Sequence, residues 1–323
     1  MTRSRIRGTG GYLPERVVSN AELETLVDTT DRWILERTGI ARRHVAAPDQ
    51  ICSDLAEAAA LRAFDNADID PGDIDLVLVA TSTPDHVFPS TACRLIERLG
   101  IAPGCIAFDV GAACSGFVYG LDVADRFIRT GGARRALVIG SEVFSRILDW
   151  QDRSTCVLFG DGAGAVVLEA GETPGILSTH LHADGRQTPL LHVPWGISQG
   201  YERLAGGHGT VSMRGNEVFR VAVRTLGALV DETLQANGLQ QGDVDWLVPH
   251  QANIRIMTAT ARKLGLPASR MVSTVAEHGN TSAASIPLAL DTAVGDGRIQ
   301  RGELLLLEAF GAGFTWGSAL IRY

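Results

Sequence analysis

Lysine is nearly missing from this 323-residue chain: of its 29 basic residues only Lys263 is not arginine. That lysine lies in a plain helical context, Ala261-Arg262-Lys263-Leu264, and no G-x-x-x-x-G-K-[ST] run occurs. Both facts argue against Schiff-base and P-loop chemistry. The five cysteines, Cys52, Cys93, Cys105, Cys114 and Cys156, include no C-x-x-C pair and are odd in number. Neither a disulfide framework nor a metal site is therefore expected, and a reducing compartment is. No apolar run reaches the roughly eighteen residues of a membrane span, and Met1-Thr2-Arg3-Ser4-Arg5 carries no apolar signal core. A soluble, cytoplasmic protein without membrane contact is expected. Positive charge is in deficit too, 29 basic against 37 acidic residues for a net −8. This argues against a nucleic-acid partner and obliges any anionic substrate to find a local basic patch.

What is present is a chain 45% hydrophobic and only 20% charged, enough for two packed domains or one doubled one. Apolar runs alternate with amphipathic stretches: Leu76-Val77-Leu78-Val79, then Ala92 to Leu99; Ile106-Ala107-Phe108, then Ser115 to Ile128; Ala136-Leu137-Val138-Ile139. The alternation reads as α/β. A shift of 170 residues lays Gly72-Asp73-Ile74-Asp75 on Gly242-Asp243-Val244-Asp245, Gly132 on Gly302 and Cys114 on Ala284. Agreement at one offset predicts two halves of like topology, 1–172 and 173–323. The stretch Asp184 to Gly209, with Pro189, Pro194 and several glycines, reads as a long surface connection of the kind that covers sites.

Three polar residues stand where chemistry is expected. Cys114, in Gly111-Ala112-Ala113-Cys114-Ser115-Gly116-Phe117, falls between the strand Ile106 to Val110 and a helical pattern. A helix N-terminus there would ease thiol ionisation and yield a nucleophile; a small packing residue is the equal alternative. His250 follows the strand Asp245 to Val248, and Asn280 follows an expected strand, Met271 to Val275, before a helix from Ala283. All three then lie at the carboxyl ends of strands, where α/β sheets bind ligands. A solvated histidine and an N-cap asparagine are the plainer readings. His278 and His86 are weaker candidates, and His180 and His182 alternate along a strand as structural residues. Gly160-Asp161-Gly162-Ala163-Gly164, Gly311-Ala312-Gly313 and Gly8-x-Gly10 miss the dinucleotide fingerprint. The first two precede strands, so their N–H groups suit an oxyanion, or the glycines serve tight turns.

Taken together, the Cys114 segment, Pro249-His250-Gln251-Ala252-Asn253, Gly279-Asn280-Thr281-Ser282 and the run Phe310 to Gly317 resemble β-ketoacyl-acyl-carrier-protein synthase III of the thiolase superfamily. Asp28 to Ile34, Arg37 to Ile40 and Phe159 to Gly164 match it as well. The resemblance implies a homodimer with a duplicated five-layer αβαβα fold, mixed sheets and a Cys-His-Asn site between the halves. It implies that Cys114 takes an acyl group from acyl-CoA, with its own N–H and that of Ala312 as oxyanion hole and Gly313 as a further donor. His250 and Asn280 would then decarboxylate malonyl-acyl-carrier protein, whose carbanion attacks the acyl-enzyme, initiating fatty acid synthesis. No cofactor is implied beyond the coenzyme A thioester as substrate. Thiolase-fold relatives further imply that coenzyme A passes Thr29, Trp33, Arg37, Arg153, Asn216 and Asn253, with Ser154 replacing a common glycine. Phe159 and Phe88, the latter from across the dimer, would line the acyl pocket. Arg220, Arg255, Arg262 and Lys263 would meet the acidic carrier protein, unless they are simply a solvated helix face.

Three alternatives stay open at this point. A secondary-metabolite acyltransferase or ketosynthase of the same superfamily could use another acceptor. A Cys-His-Asn thioester hydrolase shares the chain order, although C-G-[SA]-C-[WY] does not occur. A non-catalytic binding module would leave these three positions without a task.

Overall fold

A computed structural model describes residues 2–173, 175–200 and 209–323 of the chain. Two mixed sheets form its frame. In the first, the strand order is Arg3–Tyr12, Gly162–Gly171, Arg135–Glu142, Leu76–Ala80, Ile106–Val110. In the second it is Ile176–Ala183, Thr315–Arg322, Leu304–Gly311, Trp246–Pro249. Both orders begin with two antiparallel pairings and continue with a parallel one. The first sheet ends on a second parallel pair; the second ends on a single parallel bridge, Leu247 to Met271.

That bridge corrects the expectation of a strand over Met271 to Val275. The side chain of Gln251 occupies the ladder there: Oε1 accepts from the N–H groups of Thr274 and Val275, while Nε2 donates to the carbonyls of Pro249 and Val272. With its backbone groups satisfied by one amide, the segment turns into a short helix, Val275–His278.

Helices Gly116–Arg129 and Ser285–Gly295 lie between the sheets, and their apolar faces meet strands of both: Phe117, Leu121, Ile286 and Leu290 pack with Leu78, Val166, Leu305 and Ala319. Burying each large side chain of this kind is worth about 1.5–3 kcal/mol. Helix Cys52–Ala67 covers the outer face of the first sheet, and Gly215–Ala236 with Ile254–Lys263 that of the second. The result is the five-layer αβαβα arrangement, built from an alternation the sequence already displays. The Gly8-x-Gly10 spelling is explained by contact: a Cβ on either glycine would stand 2.5 or 2.3 Å from backbone atoms of the alanine-rich Cys52–Ala67 helix. Among the described residues no helix is long and apolar enough to cross a membrane.

Each central helix is entered through a 3₁₀ turn, Ala113–Ser115 and Ser282–Ala284. Each turn opens on a non-glycine residue in the left-handed region, Ala113 (φ 45°) and Ser282 (φ 49°). On this evidence Cys114 corresponds to Ala283, one residue from the Ala284 expected at a shift of 170. Of the Asp184 to Gly209 stretch, 201–208 lie outside the described residues; Leu191–His192 pairs with Ser212–Met213 as a small ribbon.

Candidate active site

The first turn holds Cys114 rigidly. The Ser115 hydroxyl donates to the Ala112 carbonyl (2.7 Å) and stands 2.6 Å from Thr315 Oγ1, which is 3.0 Å from the same carbonyl. The hairpin of the second sheet is thereby clipped to the turn. Gly311, at the end of strand Leu304–Gly311, lies so close that a Cβ there would be 2.9 Å from the Cys114 nitrogen. Ala312 follows directly, at the edge of the same contact. The expected ease of ionisation is not found: burial, with the nearby Glu142 charge adding to it, pushes the Cys114 thiol up to about 12. Desolvation outweighs the turn's N–H groups because the sulfur is enclosed.

His250 follows strand Trp246–Pro249, and its N–H donates to the Glu308 carbonyl (2.7 Å). Its Nδ1 stands 2.6 Å from Ser285 Oγ, which also accepts from the Gln251 N–H at 3.3 Å. A serine hydroxyl that donates to Nδ1 leaves the imidazole proton on Nε2. Burial lowers the His250 pKa to about 3, so the ring is neutral. Asn280 is tied by its backbone to Leu158 and Gly160 (2.9 and 3.0 Å). Its Oδ1 accepts from the Ser282 N–H at 2.9 Å, so the amide offers its NH₂ as donor. Asn280 is not an N-cap; Asn253 is, accepting from the Ile256 N–H at 3.0 Å.

Cys114, His250 and Asn280 line one cavity of about 370 Å³, together with Trp33, Arg37, Arg153, Phe159, Asn216, Asn253 and Arg255. The guanidiniums of Arg37 and Arg153 each stand 5.0 Å from the centroid of the Trp33 indole. Ser154, where a glycine was expected, has its hydroxyl bound by Asp152 at 2.8 Å and also lines the cavity. Phe159 stacks on Phe144 with centroids 4.4 Å apart. Arg255 contributes by donating to the Arg37 carbonyl (2.9 Å) and covering the Phe219 ring.

Other candidates lie apart. Thr29, Phe88, Ala312, Arg220, Arg262 and Lys263 do not line the cavity. Thr29 has a buried, unpartnered hydroxyl, and Phe88 is 84% exposed. Lys263 pairs with Asp231 at 2.7 Å, whereas Arg220 and Arg262 are exposed. The Gly160 to Gly164 run serves packing: Asp161 binds Ala46 and Ser145 (2.8 Å each), and a Cβ on Gly160 would meet the His278 carbonyl at 2.9 Å. His278 is enclosed, with its pKa lowered to about 4 by burial. His180 and His182 face one carboxylate, Glu232 (3.1 and 2.9 Å). All five cysteines are free thiols.

Sequence reading missed the supports. No motif singles out Ser285, Glu142 or Glu308, and Ser282 stands only as the last residue of the Gly279 to Ser282 motif. The one signal was a lone acid at the close of each run, Ala136 to Glu142 and Leu304 to Glu308. Glu308 is enclosed against the cavity with both oxygens unpartnered, and burial holds its carboxyl well above the usual range.

With the geometry in hand, comparison with known proteins is direct. The family model described as 3-oxoacyl-[acyl-carrier-protein] synthase III matches residues 108–185, and the model of that synthase's C-terminal part matches 234–323. The chain is 67% identical over 323 residues to a β-ketoacyl-[acyl-carrier-protein] synthase III of Alkalilimnicola ehrlichii, covering 100% of both. It resembles the crystal structure of 3-oxoacyl-[acyl-carrier-protein] synthase III from Aquifex aeolicus with TM-score 0.93 and 45% identity, covering 99% of this chain and 100% of that one. The priming β-ketosynthase of the R1128 polyketide pathway gives TM-score 0.94 at 39% identity, covering 99% and 96%.

Proposed function

Since the chain belongs to the β-ketoacyl-acyl-carrier-protein synthase III family, we propose that Cys114, His250 and Asn280 carry the family's decarboxylative condensation in two half-reactions. The protein is an acyltransferase that initiates fatty acid synthesis. In the first half the Cys114 sulfur attacks the acyl-CoA thioester. The N–H groups of Cys114 and Ala312, with Gly313 beside them, bind the oxyanion, one such donor being worth about 10²–10³ in rate. Coenzyme A leaves along Trp33, Arg37, Arg153, Asn216 and Asn253, with Thr29 at the outer end. In the second half malonyl-acyl-carrier protein loses CO₂, and the His250 Nε2–H and the Asn280 NH₂ stabilise the enolate oxygen. The carbanion attacks the acyl group and gives the β-ketoacyl-carrier protein.

The observation that carries this reading is the anchoring of His250 and Asn280 beside one thiol. Ser285 holds His250 Nδ1 and so turns Nε2 toward the cavity side, Ser282 orients the Asn280 amide, and both residues share a cavity with a thiol. The same donors, neither of them titrating near pH 7, need no cofactor to hold an enolate.

The active unit in this reading is a cytoplasmic homodimer. Val87 (57% exposed) and Phe88 (84%) form an apolar projection beside the half-exposed edge strand Ile106–Val110, and contiguous apolar exposure marks contact surfaces. Phe88 then closes the neighbouring subunit's acyl pocket opposite Phe159. The carrier protein meets Arg220 and Arg262 first, since Arg255 and Lys263 are engaged by Arg37 and Asp231.

Incubation with a panel of acyl-CoAs, followed by the mass of the Cys114 peptide, tests the assignment and reads primer choice. An acyl adduct on that peptide is expected, with the preferred length distinguishing a fatty-acid primer from a polyketide one. An adduct elsewhere, or none, contradicts it.

A further inference from the structure

Arg43 is the largest fully buried side chain among the described residues. It lies on strand Arg42–Val45, which pairs antiparallel with Arg16–Ser19. Its Nη1 donates to the Val18 carbonyl (3.2 Å) and to Asn20 Oδ1 (2.9 Å), and its Nη2 to the Val157 carbonyl (2.7 Å). All three acceptors are neutral, and among the described residues no carboxylate pairs with this guanidinium. Asn20 in turn donates to Asp31 Oδ1 (2.9 Å) and the Ile40 carbonyl (2.8 Å), so an amide stands between the cation and that acid. Burial lowers Arg43 to about 10, which leaves it charged at neutral pH. An enclosed charge contributes less to stability than apolar filling of the same volume, so its use is sought in what it places.

What it places is the Asn280 peptide. The Arg43 stem lies between two glycines: a Cβ on Gly160 or on Gly279 would stand 3.0 Å from the Arg43 Cβ. These glycines adjoin the two partners of the Phe159 to Asn280 bridge, Gly160 after Phe159 and Gly279 before Asn280. In that bridge the Asn280 N–H donates to the Leu158 carbonyl (2.9 Å) and the Gly160 N–H to the Asn280 carbonyl (3.0 Å). Leu158 directly follows Val157, whose carbonyl Nη2 holds. One side chain therefore supports both strands of the bridge, its stem beneath the glycines and its guanidinium at the Val157 peptide. Gly279 passes over the stem at φ 68°, a conformation glycine adopts without cost.

We propose that Arg43 is a positioning residue for decarboxylation, clamping the Phe159 to Asn280 bridge so that the Asn280 amide meets the developing enolate oxygen already in place. This rests on Asn280 being a donor to that enolate. Arg43 does not line the cavity and touches no reacting atom. Its effect falls on the second half-reaction because Cys114 is held separately, by Ser115 against Thr315 and by the close approach of Gly311. Asn20 continues to hold Asp31, at the start of the helix that carries Trp33 and Arg37, whichever residue stands at 43.

A double-mutant cycle tests the clamp. Release of CO₂ from malonyl-acyl-carrier protein and acylation of Cys114 are measured separately in wild type, Arg43→Lys, Asn280→Ala and the double variant. The lysine ammonium keeps the charge but cannot span the three acceptors. In Arg43→Lys the kcat of decarboxylation should fall about tenfold at unchanged KM, with acylation within about threefold. In the Asn280→Ala background the same substitution should cost less than about twofold, since the amide it positions is gone. Gly279→Ala, which presses on the stem from the other side, should reproduce the split and carries the test where Arg43→Lys does not fold. Equal losses in both half-reactions, or a loss undiminished in the Asn280→Ala background, overturn the clamp while the condensation stands. Wild-type decarboxylation by Arg43→Lys also overturns it. Wild-type decarboxylation by Asn280→Ala overturns both the clamp and the assignment of Asn280.

Discussion

The turns Ala113–Ser115 and Ser282–Ala284 are the same backbone device used for two purposes. Each opens in the left-handed region and feeds a buried helix. Each also presses on a glycine of the opposite sheet: a Cβ on Gly311 would stand 2.9 Å from the Cys114 nitrogen, and one on Gly140 would stand 2.2 Å from the Ala283 carbonyl. The difference lies in the side chains. The first turn offers a sulfur backed by Thr315; the second offers Ser282, which fixes Asn280 and touches Glu142. A doubled scaffold thus supplies two equivalent positions at one seam, and substitution divides nucleophile from donors between them.

Variants that strike one turn should break the comparison most visibly. Cys114→Ala should cost condensation on the order of 10⁴-fold or more, as followed by product formation. Asn280→Ala should cost malonyl decarboxylation about 10²–10³ while acyl transfer to Cys114 survives within about tenfold. Equal loss in both half-reactions would deny the division. Next in size are the glycine supports. Gly311→Ala should slow acyl transfer and Gly140→Ala decarboxylation, each with roughly 1–3 kcal/mol lost in denaturant unfolding from overpacking. Gly111→Ala, with nothing within 4 Å of its added carbon, serves as the control.

The smallest effect concerns acid. Burial lowers His278 to about 4, below the roughly 6.5 of an unfolded chain. The unfolded state binds the proton first, so this stability is complete above about pH 6.5 and is lost as pH falls through about 4. The loss should amount to roughly 1–3 kcal/mol, sited near the second turn. Hydrogen exchange at mild acid should rise in residues 275–285 before residues 111–117; simultaneous opening would show that the two turns do not differ in this respect.

The sequence displayed the layers and the three polar residues because these follow from local pattern: apolar runs of strand length, small residues around Cys114, and polar groups after strands. It could not display contacts made at long range. The Met271 to Val275 segment has a strand's composition, yet the Gln251 amide takes its ladder bonds. The Cys114 thiol sits at a helix entry, yet enclosure between two sheets governs its proton. Ser282, Ser285 and Glu142 are ordinary residues until the second half brings them beside the first. The expected basic face was only half legible, since whether Arg255 and Lys263 point to solvent depends on Arg37 and Asp231.

The claim on which all of this rests is that a thiol in one half and two donors in the other share a single reaction. A chase experiment reads it directly: load the enzyme with isotope-labelled acyl-CoA, remove free primer, and add malonyl-acyl-carrier protein or buffer. The label should stay on the Cys114 peptide in buffer and move into the β-ketoacyl-carrier protein on the malonyl addition. Label released as free acid in buffer at the same rate, or retained after the malonyl addition, would contradict the account.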